Sequence, residues 1–112
     1  DYVIAMWRML QQKKPDDYVI ATGHQHSVKR FVNLCAIQLN MKLLWKGKGL
    51  KEKCYWENKV IIEIDKKYFR PTEVESLKGD YRKAKKLLKW KPKIGIQDLV
   101  REMINHELSN DK

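Results

Sequence analysis

The chain has 112 residues, 43% of them hydrophobic, and carries 24 Lys and Arg against 14 Asp and Glu, a formal net charge of +10. That length bounds it to one domain with a modest core, and the apolar share with four tryptophans excludes a disordered tail. No apolar run approaches the roughly 20 residues of a membrane span, and the basic excess is mostly lysine with no arginine-rich stripe, so a nucleic-acid partner is not the simplest reading.

From Tyr2 to Gln12, Val3, Met6, Trp7 and Leu10 repeat at helical spacing, and Asp1 is placed to cap the start. The first residue is Asp1 rather than a methionine, which leads us to expect a piece of a longer protein. Pro15-Asp16-Asp17 makes a turn. Tyr18–Thr22 is short, apolar and β-branched, the pattern of a buried strand closed by Gly23. Ser27 suits an N-cap for a second helix lined by Val28, Phe31, Val32, Cys35 and Leu39.

Lys42–Trp45 reads as a second strand ended by Gly47 and Gly49, followed by a basic loop through Lys51, Lys53 and Trp56. Val60–Asp65 alternates, with Val60, Ile62 and Ile64 on one face, the pattern of a half-exposed strand. Asp80 is placed to cap a helix with Ala84, Leu87 and Leu88 inward and Arg82, Lys83, Lys85, Lys86 and Lys89 toward solvent, stopped by Trp90-Lys91-Pro92. A last helix runs from about Ile96 to Leu108 with Leu99, Val100 and Met103 inward. The expected class is α/β, a small mixed arrangement with too few strands for a doubly wound sheet. Cys35 on a helix face and Cys54 in a loop lack metal or redox spacing and read as reduced thiols of a cytoplasmic protein.

His24 and His26 lack a third ligand and read as solvated loop residues, so no metal is expected. No G-x-S-x-G, H-E-x-x-H, G-x-G-x-x-G or P-loop pattern occurs, and no catalytic set can be assembled. Trp7, Trp45 and Trp90 suit core or helix-end packing, while Trp56 lies in the basic loop. One segment stands apart: Tyr68-Phe69-Arg70-Pro71-Thr72-Glu73-Val74. A guanidinium three residues from a carboxylate is either a surface ion pair or a clamp for a ligand bearing phosphates and hydroxyls.

That segment, with Gly79-Asp80, Lys83–Leu88, Trp90-Lys91-Pro92 and Leu99–Met103, closely resembles the C-terminal part of GDP-mannose 4,6-dehydratases. Asp1-Tyr2-Val3, Ala5-Met6-Trp7, Tyr18–Gly23 and His26-Ser27-Val28 fit the same family. The resemblance implies residues 1–112 of a C-terminal, substrate-binding portion of an extended short-chain dehydrogenase/reductase, without its Rossmann domain. It implies a parent enzyme that converts GDP-mannose to GDP-4-keto-6-deoxymannose with NADP, as a homo-oligomer. The cofactor and catalytic residues would lie in the missing Rossmann domain, leaving this chain inactive alone and binding no cofactor. Arg70 matches an arginine for the diphosphate or ribose, and Glu73 a glutamate for ribose hydroxyls.

Three positions depart from the family's usual pattern: Lys29-Arg30 on the second helix, Tyr55–Asn58 in place of a glycine-containing turn, and Lys46. Readings from other classes are a small basic nucleic-acid-binding module, expected to bind with steep salt dependence, and an independent regulatory or assembly domain.

Overall fold

The computed structural model describes residues 1–70, 72 and 76–110. The chain runs α1 (Tyr2–Leu10), α2 (Val28–Gln38), β1 (Leu43–Lys46), β2 (Lys53–Trp56), β3 (Lys59–Glu63), α3 (Arg82–Leu87) and α4 (Ile96–Asn110), with short 3-10 turns at Gly49–Lys51 and Lys66–Tyr68. This is the small mixed helix-and-sheet composition expected. The chain divides into two compact units, Asp1–His26 with Ser76–Leu99 and Ser27–Glu75 with Val100–Lys112.

In the first unit the core is Ala5, Ala84, Leu88 and Trp90, against which Met9, Tyr18, Ile20 and Tyr81 pack. On α1, Val3, Met6, Trp7 and Leu10 are all exposed, Leu10 to 82%. Ala5 and Met9 lie roughly on the other side of the helix and form the covered face instead. Two stripes at helical spacing coexist on α1, and periodicity cannot rank them. Trp7 is therefore not a core residue here. The Asp1 side chain does not bond the first turn of α1. Its Oδ2 accepts the N–H groups of Lys93 and Ile94, both at 2.8 Å.

The expected strand Tyr18–Thr22 is absent among the described residues, since the sheet is built from β1, β2 and β3. A strand exists only with a neighbour to take its backbone groups. Here the segment supplies side chains to the core and passes close to Gly79, where a Cβ would overlap that of Ala21. Asp80 does serve the start of α3, its Oδ1 accepting the Arg82 N–H at 2.9 Å. Ala84 and Leu88 point inward as expected, but Leu87 is exposed.

In the second unit Ser27 caps α2 as expected, its Oγ accepting the Arg30 N–H at 3.1 Å. Phe31, Val32 and Cys35 are half-buried, while Val28 and Leu39 at the ends of the stripe are exposed. The sheet is antiparallel in the order β1-β2-β3, with Leu43 opposite Trp56 and Lys53 opposite Glu63.

The expected basic loop is largely β2. Glu57 and Asn58, at φ 47° and 65°, form a two-residue hairpin turn of the kind that needs positive φ, without the usual glycine. Cys54 accordingly sits in a strand rather than a loop and is fully buried, which pushes its thiol pKa up. All five residues of β3 are exposed, so the alternation there marks no buried face in this chain. On α4, Val100 is buried, whereas Leu99 and Met103 are exposed.

The three segments expected to depart from the family pattern include residues with local partners in this unit. Lys29 pairs with Glu52 at 2.6 Å and lies 4.7 Å from the Trp45 ring centroid. The Trp45 indole donates to Asn33 Oδ1 at 2.8 Å, tying α2 to β1. Lys46 lies over the Tyr55 ring, opposite the new turn's strand.

Candidate functional site

β3 ends at Glu63, and Asp65 turns the chain. Its Oδ1 accepts the Lys67 N–H at 2.9 Å and its carbonyl the Tyr68 N–H at 3.1 Å, closing the 3-10 turn. The Lys66 carbonyl takes the Phe69 N–H at 3.2 Å, and Phe69 is extended at φ −70°, ψ 126°. Arg70 follows, exposed. A guanidinium in general offers planar, paired donors that match a phosphate or carboxylate. Glu73 lies outside the described residues, and so does the choice between an ion pair with Arg70 and a clamp for a ligand.

Beside this turn is an open depression of about 680 Å³, lined by Leu50, Lys51, Lys53, Glu63, Ile64, Asp65 and Lys66. Lys53 and Glu63 form a cross-strand ion pair at 2.8 Å, and that hydrogen bond raises the Lys53 pKa. The sequence pattern sets Lys51 and Lys53 in a loop and gives no link from them to Lys66. The hairpin register sets Lys53 opposite Glu63, at the strand end before Lys66, and no glycine in the Glu57-Asn58 turn announces that hairpin in the sequence.

The other flagged groups do not assemble into chemistry. His24 and His26 are exposed, and among the described residues no three His, Cys, Asp or Glu side chains could hold a metal. The lysines of α3 are on a solvated face, where Lys83 pairs with Asp16 and Arg82 with Asp80, each at 2.6 Å. Among the described residues no helix is long and apolar enough to cross a membrane.

The family model for GDP-mannose 4,6 dehydratase matches residues 1–103. The chain belongs to the GDP-mannose 4,6 dehydratase family. It is 49% identical over 110 residues to the GDP-mannose 4,6 dehydratase of Dictyostelium discoideum, covering 96% of this chain and 31% of the relative. Identity to that of Homo sapiens is 46%, covering 96% and 30%. The Vibrio cholerae protein of the same name is 42% identical over 120 residues, covering 96% and 32%. The chain thus spans about 30% of the length of these dehydratases. The expectation from the ordered motifs is borne out at the level of family, and nothing in these likenesses supports a nucleic-acid-binding module.

Proposed function

We propose that this chain is the GDP-sugar-binding portion of a GDP-mannose 4,6-dehydratase, a lyase converting GDP-mannose to GDP-4-keto-6-deoxymannose. The observation that carries the reading is the family match over residues 1–103, which includes the whole Arg70 segment. In this reading residues 1–112 form the C-terminal part of an extended short-chain dehydrogenase/reductase. The Rossmann domain and the NADP it holds belong to the rest of a homo-oligomeric enzyme.

This chain does not fit the cofactor. Its sheet is antiparallel and its sequence lacks the glycine-rich strand-to-helix turn that receives a dinucleotide pyrophosphate. The chain's part is therefore binding. Arg70 would hold the diphosphate or adjacent ribose by bidentate hydrogen bonds, and Glu73 would accept from ribose hydroxyls. Gripping a remote nucleotide in this way orients the sugar carbon that reacts elsewhere. The exposed apolar stripe of α1, Val3, Met6, Trp7 and Leu10, is a surface for the remainder of the enzyme to cover.

The test is the saturation curve for GDP-mannose of the complete dehydratase. Arg70→Ala is expected to weaken apparent affinity by roughly 2–5 kcal/mol if the contact is desolvated, with kcat less affected. Arg70→Lys should recover only part, because an ammonium lacks the planar fork. An unchanged curve for Arg70→Ala would remove the assigned role.

A further inference from the structure

We propose that Asp65 is a positioning residue for Arg70, fixing through its turn the direction in which the guanidinium is presented; this deepens the GDP-sugar reading and rests on it. Burial does not define that direction. Every residue of β3 and of the Lys66–Tyr68 turn is exposed, as are Phe69 and Arg70. Tyr68 is 73% exposed. The bend is specified by a few hydrogen bonds, two of which end on Asp65: the Lys67 N–H on Oδ1 and the Tyr68 N–H on its carbonyl.

The chemistry requires a short acceptor. A carboxylate or amide oxygen one carbon from Cβ reaches the N–H two residues on, and that reach is why Asp and Asn favour such turns. Without it the Lys67 N–H turns to water, and the turn samples alternatives that point Arg70 elsewhere. Apparent affinity then falls by the fraction of molecules that hold the competent bend. Asp65 also lines the open depression beside the turn, so a direct charge effect on the ligand is the competing explanation.

Reach and charge separate in the complete dehydratase, with GDP-mannose as the varied substrate. Asp65→Ala is expected to raise KM about tenfold, equivalent to ~1.4 kcal/mol and within the range for losing an Asp cap, with kcat unchanged. Asp65→Asn, which keeps the reach and loses the charge, should retain the original KM. Asp65→Glu, which keeps the charge and loses the reach, should behave as Ala. If Asp65→Ala does not fold, the Asn and Glu variants decide alone. An Asn variant as impaired as Ala, or a Glu variant like the parent, overturns the proposal. So does an unchanged KM in Asp65→Ala while Arg70→Ala raises it. If Arg70→Ala is itself silent, the GDP-sugar reading fails and this proposal falls with it.

Discussion

Trp90 and Asp1 are joined across almost the whole chain: the indole Nε1 donates to the Asp1 carbonyl at 2.9 Å. Trp90 is 2% exposed, stacked on Tyr2 at 6.5 Å between centroids and met edge-on by Tyr81 at 6.1 Å. The Asp1 carboxylate meanwhile accepts from Lys93 and Ile94, so one residue ties α1 to the segment after α3 at three points. Trp90→Ala should cost ~3–5 kcal/mol in urea unfolding. Trp90→Phe keeps most of the apolar contact and loses the indole donor, for which ~1–2 kcal/mol is expected. Equal losses for the two would mean that the hydrogen bond, not the ring's volume, dominates.

α3 ends on a residue whose backbone is in the left-handed region. Lys89 has φ 53°, and the Trp90 N–H reaches back to the Ala84 carbonyl at 3.4 Å, as at helix ends where glycine is usual. Arg8 donates to the carbonyls of Leu88, at 3.1 Å, and Lys89, meeting acceptors that a helix end leaves open. Lys89→Gly should therefore stabilise the protein by ~0.5–1 kcal/mol. Arg8→Met should destabilise it by ~1–3 kcal/mol. Chemical denaturation of both variants checks the signs.

These same features show what could be read in advance. Ser27 announced α2 because a hydroxyl before an apolar stripe satisfies a helix's first amides. Lys42–Trp45 and Val60–Asp65 announced β1 and β3 through local composition. β2 was hidden because Lys53 and Trp56 bracket it without alternation, and Glu57-Asn58 lacks the glycine that marks a tight hairpin. Tyr18–Thr22 had strand composition, but pairing is a property of two segments and no partner lies among the described residues. At the candidate site Arg70 was legible from its motif. Asp65 was not, because reading it as a cap requires knowing that β3 stops at Glu63.

Gly79 is required for space, not for an unusual backbone angle. An added Cβ would overlap Ala21 and lie 3.3 Å from Val19 Cγ1. Gly79→Ala should cost ~1–3 kcal/mol through overpacking. Gly95, with nothing within 4 Å of the same atom, is the internal control. Gly95→Ala should be neutral or slightly stabilising. A tolerated Gly79→Ala would show that the Val19–Ala21 segment yields readily.

Asp16 and Lys83 join the turn after α1 to α3 at 2.6 Å, with the ammonium 5.3 Å from the Tyr18 ring centroid. The hydrogen bond from Lys83 holds the Asp16 carboxyl below its ordinary 3.8, and the same bond raises Lys83 above 10.5. A depressed acid pKa contributes stability that is fully present above the unfolded value and is lost as pH falls through the folded one. A raised lysine pKa contributes stability that is present below 10.5 and lost as pH climbs through the folded value. The pair thus acts on a plateau between these limits. Melting temperatures of the parent and Asp16→Asn should differ on that plateau and converge in acid below 3.8. Because both groups are solvated, added salt should narrow the gap at neutral pH. A difference that persists unchanged into strong acid would show that the effect of Asp16→Asn does not come from the charge, and since the Asn Oδ1 can still accept the Asp17 N–H that Asp16 takes at 2.8 Å, not from that turn bond either.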